Sequence, residues 1–69
     1  MNIYDTITAD QIEAGDQILI DGDPIEVDFV GADPEAPVEG IRVKGYSHET
    51  GDGVTYDLHF ATTVDLWAV

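Results

Sequence analysis

Short apolar segments separated by turn residues constrain the fold of this chain more than any other feature. Over residues 54–60, apolar and polar side chains alternate without a break, which is typical of a strand with one buried face. The same pattern, with shorter runs, predicts five strands at 16–21, 25–30, 40–46, 54–60 and 64–69. Turn sequences separate them around Gly22-Asp23, at 31–40, at 49–53 and at 61–63.

The segment before the first predicted strand favours one short helical turn. Thr8 is suited to cap a turn over residues 9–14, and Gly15 is suited to end it. Since six residues are too few for a helix that is stable alone, we expect Ile12 to plug one end of a barrel.

Five short strands joined by tight turns, with one helical turn, predict an all-β fold. We expect an SH3-like barrel, with an OB-like barrel as the second choice, because closure removes exposed sheet edges. We expect the 69 residues to form a single domain, 1–69. The predicted core consists of Ile12, Ile18, Ile20, Ile25, Val27, Phe29, Ile41, Val43, Tyr56, Leu58, Phe60, Val64 and Leu66.

The alternation also predicts how strands 40–46 and 54–60 pair. If their apolar residues share the inner face, paired residue numbers sum to an odd value near 101. That register places Lys44 opposite Asp57 and Arg42 opposite His59 on the outer face.

The stretch from residue 12 to residue 60 resembles the N-terminal SH3-like barrel of elongation factor P and initiation factor 5A. The similar segments are 13–15, 18–27, 41–44 and 50–51. In those factors the loop after the second strand carries a modified basic residue in a Pro-Gly-Lys-Gly setting. Here residues 33–39 are acidic and contain no lysine, so the resemblance implies the fold and not a role in peptide-bond formation. The segments 8–11 and 14–16 are also similar to small actinobacterial phage proteins.

The charge balance excludes several classes of partner. Fifteen acidic and two basic residues give a formal net charge of −13. With only Arg42 and Lys44 to neutralise phosphates, we expect binding neither to nucleic acid nor to a membrane. The acidity has three interpretations: a solubilising surface, a surface for a basic partner, or cation binding.

Candidates for chemistry are few. Cysteine is absent, and Ser47 and His48 are adjacent, so an extended backbone points them to opposite sides. Asp21 and Asp23 lack the further ligands of a calcium loop, and the acids beside His48 suit a solvated turn. We therefore expect no enzyme activity, no catalytic residues, no metal site and no cofactor.

Two aromatic residues and one acidic loop are the candidate contacts. Trp67 lies on the opposite face of its strand from Leu66, where it either forms an exposed patch with Tyr46 or covers a barrel end. The loop 31–40, with its prolines, is expected to be the most mobile internal segment. The expected partner-binding residues are Trp67, Tyr46, Asp33, Glu35 and Glu39.

These features predict a non-enzymatic binding or accessory protein, of phage origin, that engages a protein partner. One alternative is an acidic mimic of nucleic acid that blocks a nucleic-acid-binding protein, and another is a small structural or virion protein. The first residues lack a signal-peptide pattern and no apolar run is long enough to span a membrane, so we expect a cytoplasmic location.

Overall fold

The computed structural model describes residues 2–68 and has an all-β fold, as predicted. Its strands are β1 (Asn2–Thr8), β2 (Gln17–Ile20), β3 (Asp23–Ala32), β4 (Gly40–Ser47), β5 (Gly53–His59) and β6 (Thr63–Ala68). The prediction of five strands is wrong, because β1 is a full strand of seven residues. Its polar residues and its bulge at Tyr4 hide the alternation that marks the other strands.

The strands form one antiparallel sheet in the order β1-β6-β2-β3-β4-β5. The sheet curves around a single cluster of buried residues, and the radius of gyration is 11.1 Å. Within residues 2–68, the cluster consists of Ala9, Ile12, Ile18, Ile20, Ile25, Val27, Val43, Val64 and Leu66. The architecture is therefore a small barrel-like sheet whose edge strands are β1 and β5.

Most of the predicted core is confirmed, with two errors. Ile41, Tyr56 and Leu58 are partly buried against the cluster. Phe29 is 50% exposed and Phe60 is 42% exposed. A bulge between Val27 and Phe29 inserts one residue into β3 and turns Phe29 to the outer face, and β5 ends before Phe60.

In the pairing of β4 with β5, paired residue numbers sum to an odd value, as predicted, but the register is shifted by two residues. Arg42 lies opposite Asp57, and Lys44 lies opposite Thr55, so paired numbers sum to 99 and not to 101. The apolar residues still share the inner face, because a shift of two residues preserves the side-chain direction. The hydrophobic pattern alone does not distinguish these two registers.

The two N-terminal turn predictions are confirmed in part. Thr8 precedes a short 3-10 helix, Ala9–Gln11, and Gln11 Oε1 accepts a hydrogen bond from the Thr8 amide at 3.2 Å. The helical turn is shorter than predicted. The β2–β3 turn is centred on Asp21 and Gly22, with φ of 51° and 80°, and not on Gly22 and Asp23. Two consecutive left-handed residues form the hairpin turn that matches the twist of antiparallel strands.

The segment between β3 and β4 is a compact turn. The amide of Asp33 donates to the Gly40 carbonyl at 3.0 Å, and the amide of Gly40 donates to the Ala36 carbonyl at 2.7 Å. Asp33 is buried, and its Oδ1 accepts a hydrogen bond from the Glu35 amide at 2.9 Å. Asp33 therefore orders the turn and is not a solvated acid, while the predicted mobility of the loop stays a prediction.

Candidate functional site

The outer face of β3 and β4, defined by the side chains that point away from the core, carries the candidate site. Glu26 of β3 lies opposite Tyr46 of β4, and Phe29 lies opposite Lys44. All four side chains are exposed. The β3 bulge adds Asp28 to this face, so two acidic and two aromatic residues lie close together.

A depression of about 390 Å³ opens on this face, and we call it the acidic cleft. It is lined by Ala14, Gly15, Glu26, Val27, Asp28 and Tyr46. Gly15 has a φ of 96°, and its amide donates to the Val27 carbonyl at 2.8 Å. The amide of Val27 donates to the Asp16 carbonyl at 2.8 Å. These bonds hold the turn before β2 against β3, and the turn forms one wall of the cleft.

The acidic cleft concentrates negative charge beside an open aromatic ring. Neither carboxylate, Glu26 or Asp28, has a side-chain hydrogen bond or an ion pair within residues 2–68. Tyr46 is 53% exposed, and its neighbour on β5 is Gly53, which has no side chain to cover it. Tyr46 and both carboxylates are therefore free to contact a ligand.

A different arrangement occupies the other end of β4. Arg42 donates to both carboxylate oxygens of Asp57, at 2.7 and 3.0 Å, and its guanidinium lies 3.8 Å from Asp33. The hydrogen bond from Arg42 lowers the pKa of Asp57, and the same bond raises the pKa of Arg42. This ion pair is already satisfied, so it offers less to a partner than the acidic cleft does.

The five predicted contact residues do not form one surface. Asp33, Glu35 and Glu39 lie in the β3–β4 turn. Tyr46 lies at the opposite end of β4, six residues and about 20 Å from Gly40. The turn and Tyr46 are therefore separate candidate surfaces.

Trp67 is buried, so the prediction that it forms an exposed patch with Tyr46 is wrong. It is 5% exposed, and its Nε1 donates to the Ile18 carbonyl at 3.0 Å. The ring of His48 packs edge-on against it, with ring centres 4.9 Å apart. Trp67 thus has the covering role that the sequence offered as the other interpretation.

Ser47, which was weighed for catalysis, shares the carboxylate of Asp23 with Tyr56. Ser47 is buried and donates to Asp23 Oδ1 at 2.8 Å, and the Tyr56 hydroxyl donates to Asp23 Oδ2 at 3.0 Å. Burial and the Asp23 hydrogen bond raise the pKa of Tyr56. Within residues 2–68, no three His, Asp or Glu side chains are arranged to hold a metal ion. No helix in that part of the chain is long and apolar enough to cross a membrane.

Glu26, Asp28 and Phe29 belong to the site but are not among the predicted contact residues. Glu26 and Asp28 stand at alternate positions of a predicted strand, which placed both on an outer face. Tyr46 lies beside them only because β3 pairs with β4, and Phe29 is exposed because of the bulge in β3. A scan against protein-family models found no matching family, and a search of curated proteins found no match.

Proposed function

We propose that this chain is a non-enzymatic binding protein that holds a basic segment of another protein in the acidic cleft. The observation that carries the proposal is the joining of two unpaired carboxylates, Glu26 and Asp28, with the open ring of Tyr46. A lysine or arginine side chain makes charge-assisted hydrogen bonds to carboxylates and stacks its cation on a tyrosine ring. One such side chain satisfies all three groups.

The charge of the whole molecule supports the same partner. A net charge of −13 attracts a basic protein over distance and raises its association rate. The volume of the cleft, about 390 Å³, lies at the small end of ligand sites, which suits individual side chains of a peptide. From the resemblance of segments 8–11 and 14–16 to small phage proteins, we propose that this role belongs to a viral accessory protein in the host cytoplasm.

The acidic mimic of nucleic acid is less well supported. A mimic needs carboxylates in a row at phosphate spacing, and the row on β3 contains Glu26 and Asp28 before it meets Phe29. The next outward position on β3 is Gly31, which lies opposite Arg42. The row therefore has only two acids before an aromatic ring and a base. This arrangement can bind one basic side chain, but it is too short to imitate the phosphates that a nucleic-acid-binding groove recognises.

Binding of a labelled peptide of alternating arginine and glycine, followed by fluorescence anisotropy, tests the proposal. We expect the double variant E26Q/D28N to bind more than about tenfold more weakly, because a hydrogen bond to a charged group contributes about 1.5–3 kcal/mol. The variant Y46A removes a cation–π contact of about 1 kcal/mol and should bind about fivefold more weakly.

The matched control is E35Q/E39Q, which also removes two negative charges, but from the β3–β4 turn. We expect this variant to bind within about twofold of the parent at about 0.15 M salt, where distant charges are largely screened. An equal loss of affinity in both double variants would show that only total charge matters. A loss confined to E35Q/E39Q would place the site at the turn.

A further inference from the structure

The outer face of β3 and β4 is complementary to itself. Its acidic cleft contributes Glu26 and Asp28, and the adjacent outward position on β4 is Lys44. Two aromatic rings, Phe29 and Tyr46, lie between these charges and are each about half exposed, at 50% and 53%. A face that carries both signs of charge around exposed aromatic rings can pair with a rotated copy of itself.

Lys44 is the base on this face that remains available. Arg42 is bound by Asp57 and lies near Asp33. Lys44 has no ion pair within residues 2–68, and its ammonium lies 5.7 Å from the centre of the Phe29 ring. Tyr46, the next outward residue along β4, lies opposite Glu26 of the acidic cleft.

We propose that a second copy of this chain docks on this face, so that Lys44 of each copy enters the acidic cleft of the other. A two-fold axis through the Phe29 and Tyr46 rings makes both contacts at once, since an isologous interface repeats every contact. The aromatic rings then become buried between two sheet faces, which pack about 10 Å apart. Screening by salt at physiological strength weakens the repulsion between the remaining acids of the two copies.

This arrangement gives the dimer a regulatory consequence that rests on the proposed function. Lys44 of the second copy occupies the cleft that a basic partner needs, so dimer formation and partner binding compete. A basic segment with several cations displaces one lysine, and partner binding then converts dimers to monomers.

Sedimentation equilibrium of charge-swapped variants tests the dimer. Apart from the paired Arg42, K44E has three acids and no base on this face, and E26K/D28K has three bases and no acid. Each variant alone should therefore be monomeric, with a dimer dissociation constant about tenfold or more higher. An equimolar mixture of the two should restore a dimer. A parent that is monomeric at millimolar concentration, or a mixture that remains monomeric while both variants fold, overturns the proposal.

Two further variants separate this proposal from the peptide site. K44Q should weaken the dimer and leave the acidic cleft able to bind the arginine peptide with equal or higher affinity. Phe29→Ser should weaken the dimer alone, because Phe29 does not line the cleft. If K44Q loses the peptide but keeps the dimer, Lys44 acts elsewhere and the dimer model is wrong. If neither the parent nor K44Q binds the peptide, while the parent dimerises and the charge-swapped variants behave as expected, only the proposed function is contradicted.

Discussion

Replacing Gly45 by alanine is expected to disrupt the contact between β3 and β4. Gly45 lies opposite Val27, and a Cβ built on it overlaps the carbonyl oxygen of Glu26. The same atom would lie 2.9 Å from the Glu26 carbonyl carbon and 3.1 Å from Cγ2 of Ile25. Because the obstacle is backbone, no side-chain rotation relieves it, and the two strands must separate.

The cost is large relative to the stability of a domain this small. Overpacking a core costs about 1–3 kcal/mol, and a backbone obstacle places this substitution at about 3 kcal/mol. At about 0.05–0.15 kcal/mol per residue, 69 residues give a total stability of about 3–10 kcal/mol. The melting temperature falls about 4–8 °C for each kcal/mol in domains of this size, so we expect a fall of about 12–24 °C.

Urea and thermal unfolding, followed through the fluorescence of the buried Trp67, measure this effect. The control is Gly53→Ala on the neighbouring strand, where the nearest atom to a new Cβ is 3.9 Å away. We expect the control to lie within about 0.5 kcal/mol of the parent. If Gly45→Ala and Gly53→Ala melt at the same temperature, the close approach of β3 and β4 at Gly45 is wrong.

Three further predictions concern hydrogen bonds and charge. Tyr56→Phe removes the hydrogen bond to Asp23 and should lower the free energy of unfolding by about 1 kcal/mol. Because burial and this hydrogen bond raise the pKa of Tyr56 in the folded state, the parent should also lose stability above about pH 10, as that group ionises. The hydrogen bond from Arg42 lowers the pKa of Asp57, so this group contributes stability above its ordinary pKa of about 4 that is lost as the pH falls through the folded-state pKa. The unfolding midpoints of the parent and Asp57→Asn should therefore differ at neutral pH and converge as the pH falls below that pKa. Raising NaCl from about 0.01 M to about 1 M should raise the melting temperature, because screening relieves repulsion among the acids; a flat response in scanning calorimetry would show that the acids are already compensated.

The alternation of apolar and polar residues predicts a strand of this chain well where the strand buries one face along its whole length. β5 is the clearest example, because its apolar residues recur at every second position and the observed strand ends within one residue of each predicted bound. β1 was missed because it is a partly exposed edge strand whose residues need not be apolar. Its pairing with β6 holds it in the sheet, and pairing partners are not visible in a local pattern.

The candidate site was harder to predict than the strands, for a physical reason. The acidic cleft joins a turn before β2, a bulged part of β3 and the end of β4, so it exists only when three separate segments pair correctly. The exposure of Phe29 follows from one inserted residue, which no alternation rule anticipates. Trp67 shows the converse: alternation places it on the opposite face of β6 from Leu66, yet its ring is buried and packs against His48 from a distant turn.

The central claim is that a basic side chain binds between Tyr46 and the two carboxylates of the acidic cleft. Two-dimensional ¹H–¹⁵N NMR of the parent, titrated with the arginine–glycine peptide, tests this claim most directly. We expect saturable shifts at the amides of Gly15, Glu26, Asp28 and Tyr46, and little change at Glu35 and Glu39. Shifts concentrated in the β3–β4 turn, or weak shifts spread over all acidic residues without saturation, would contradict it.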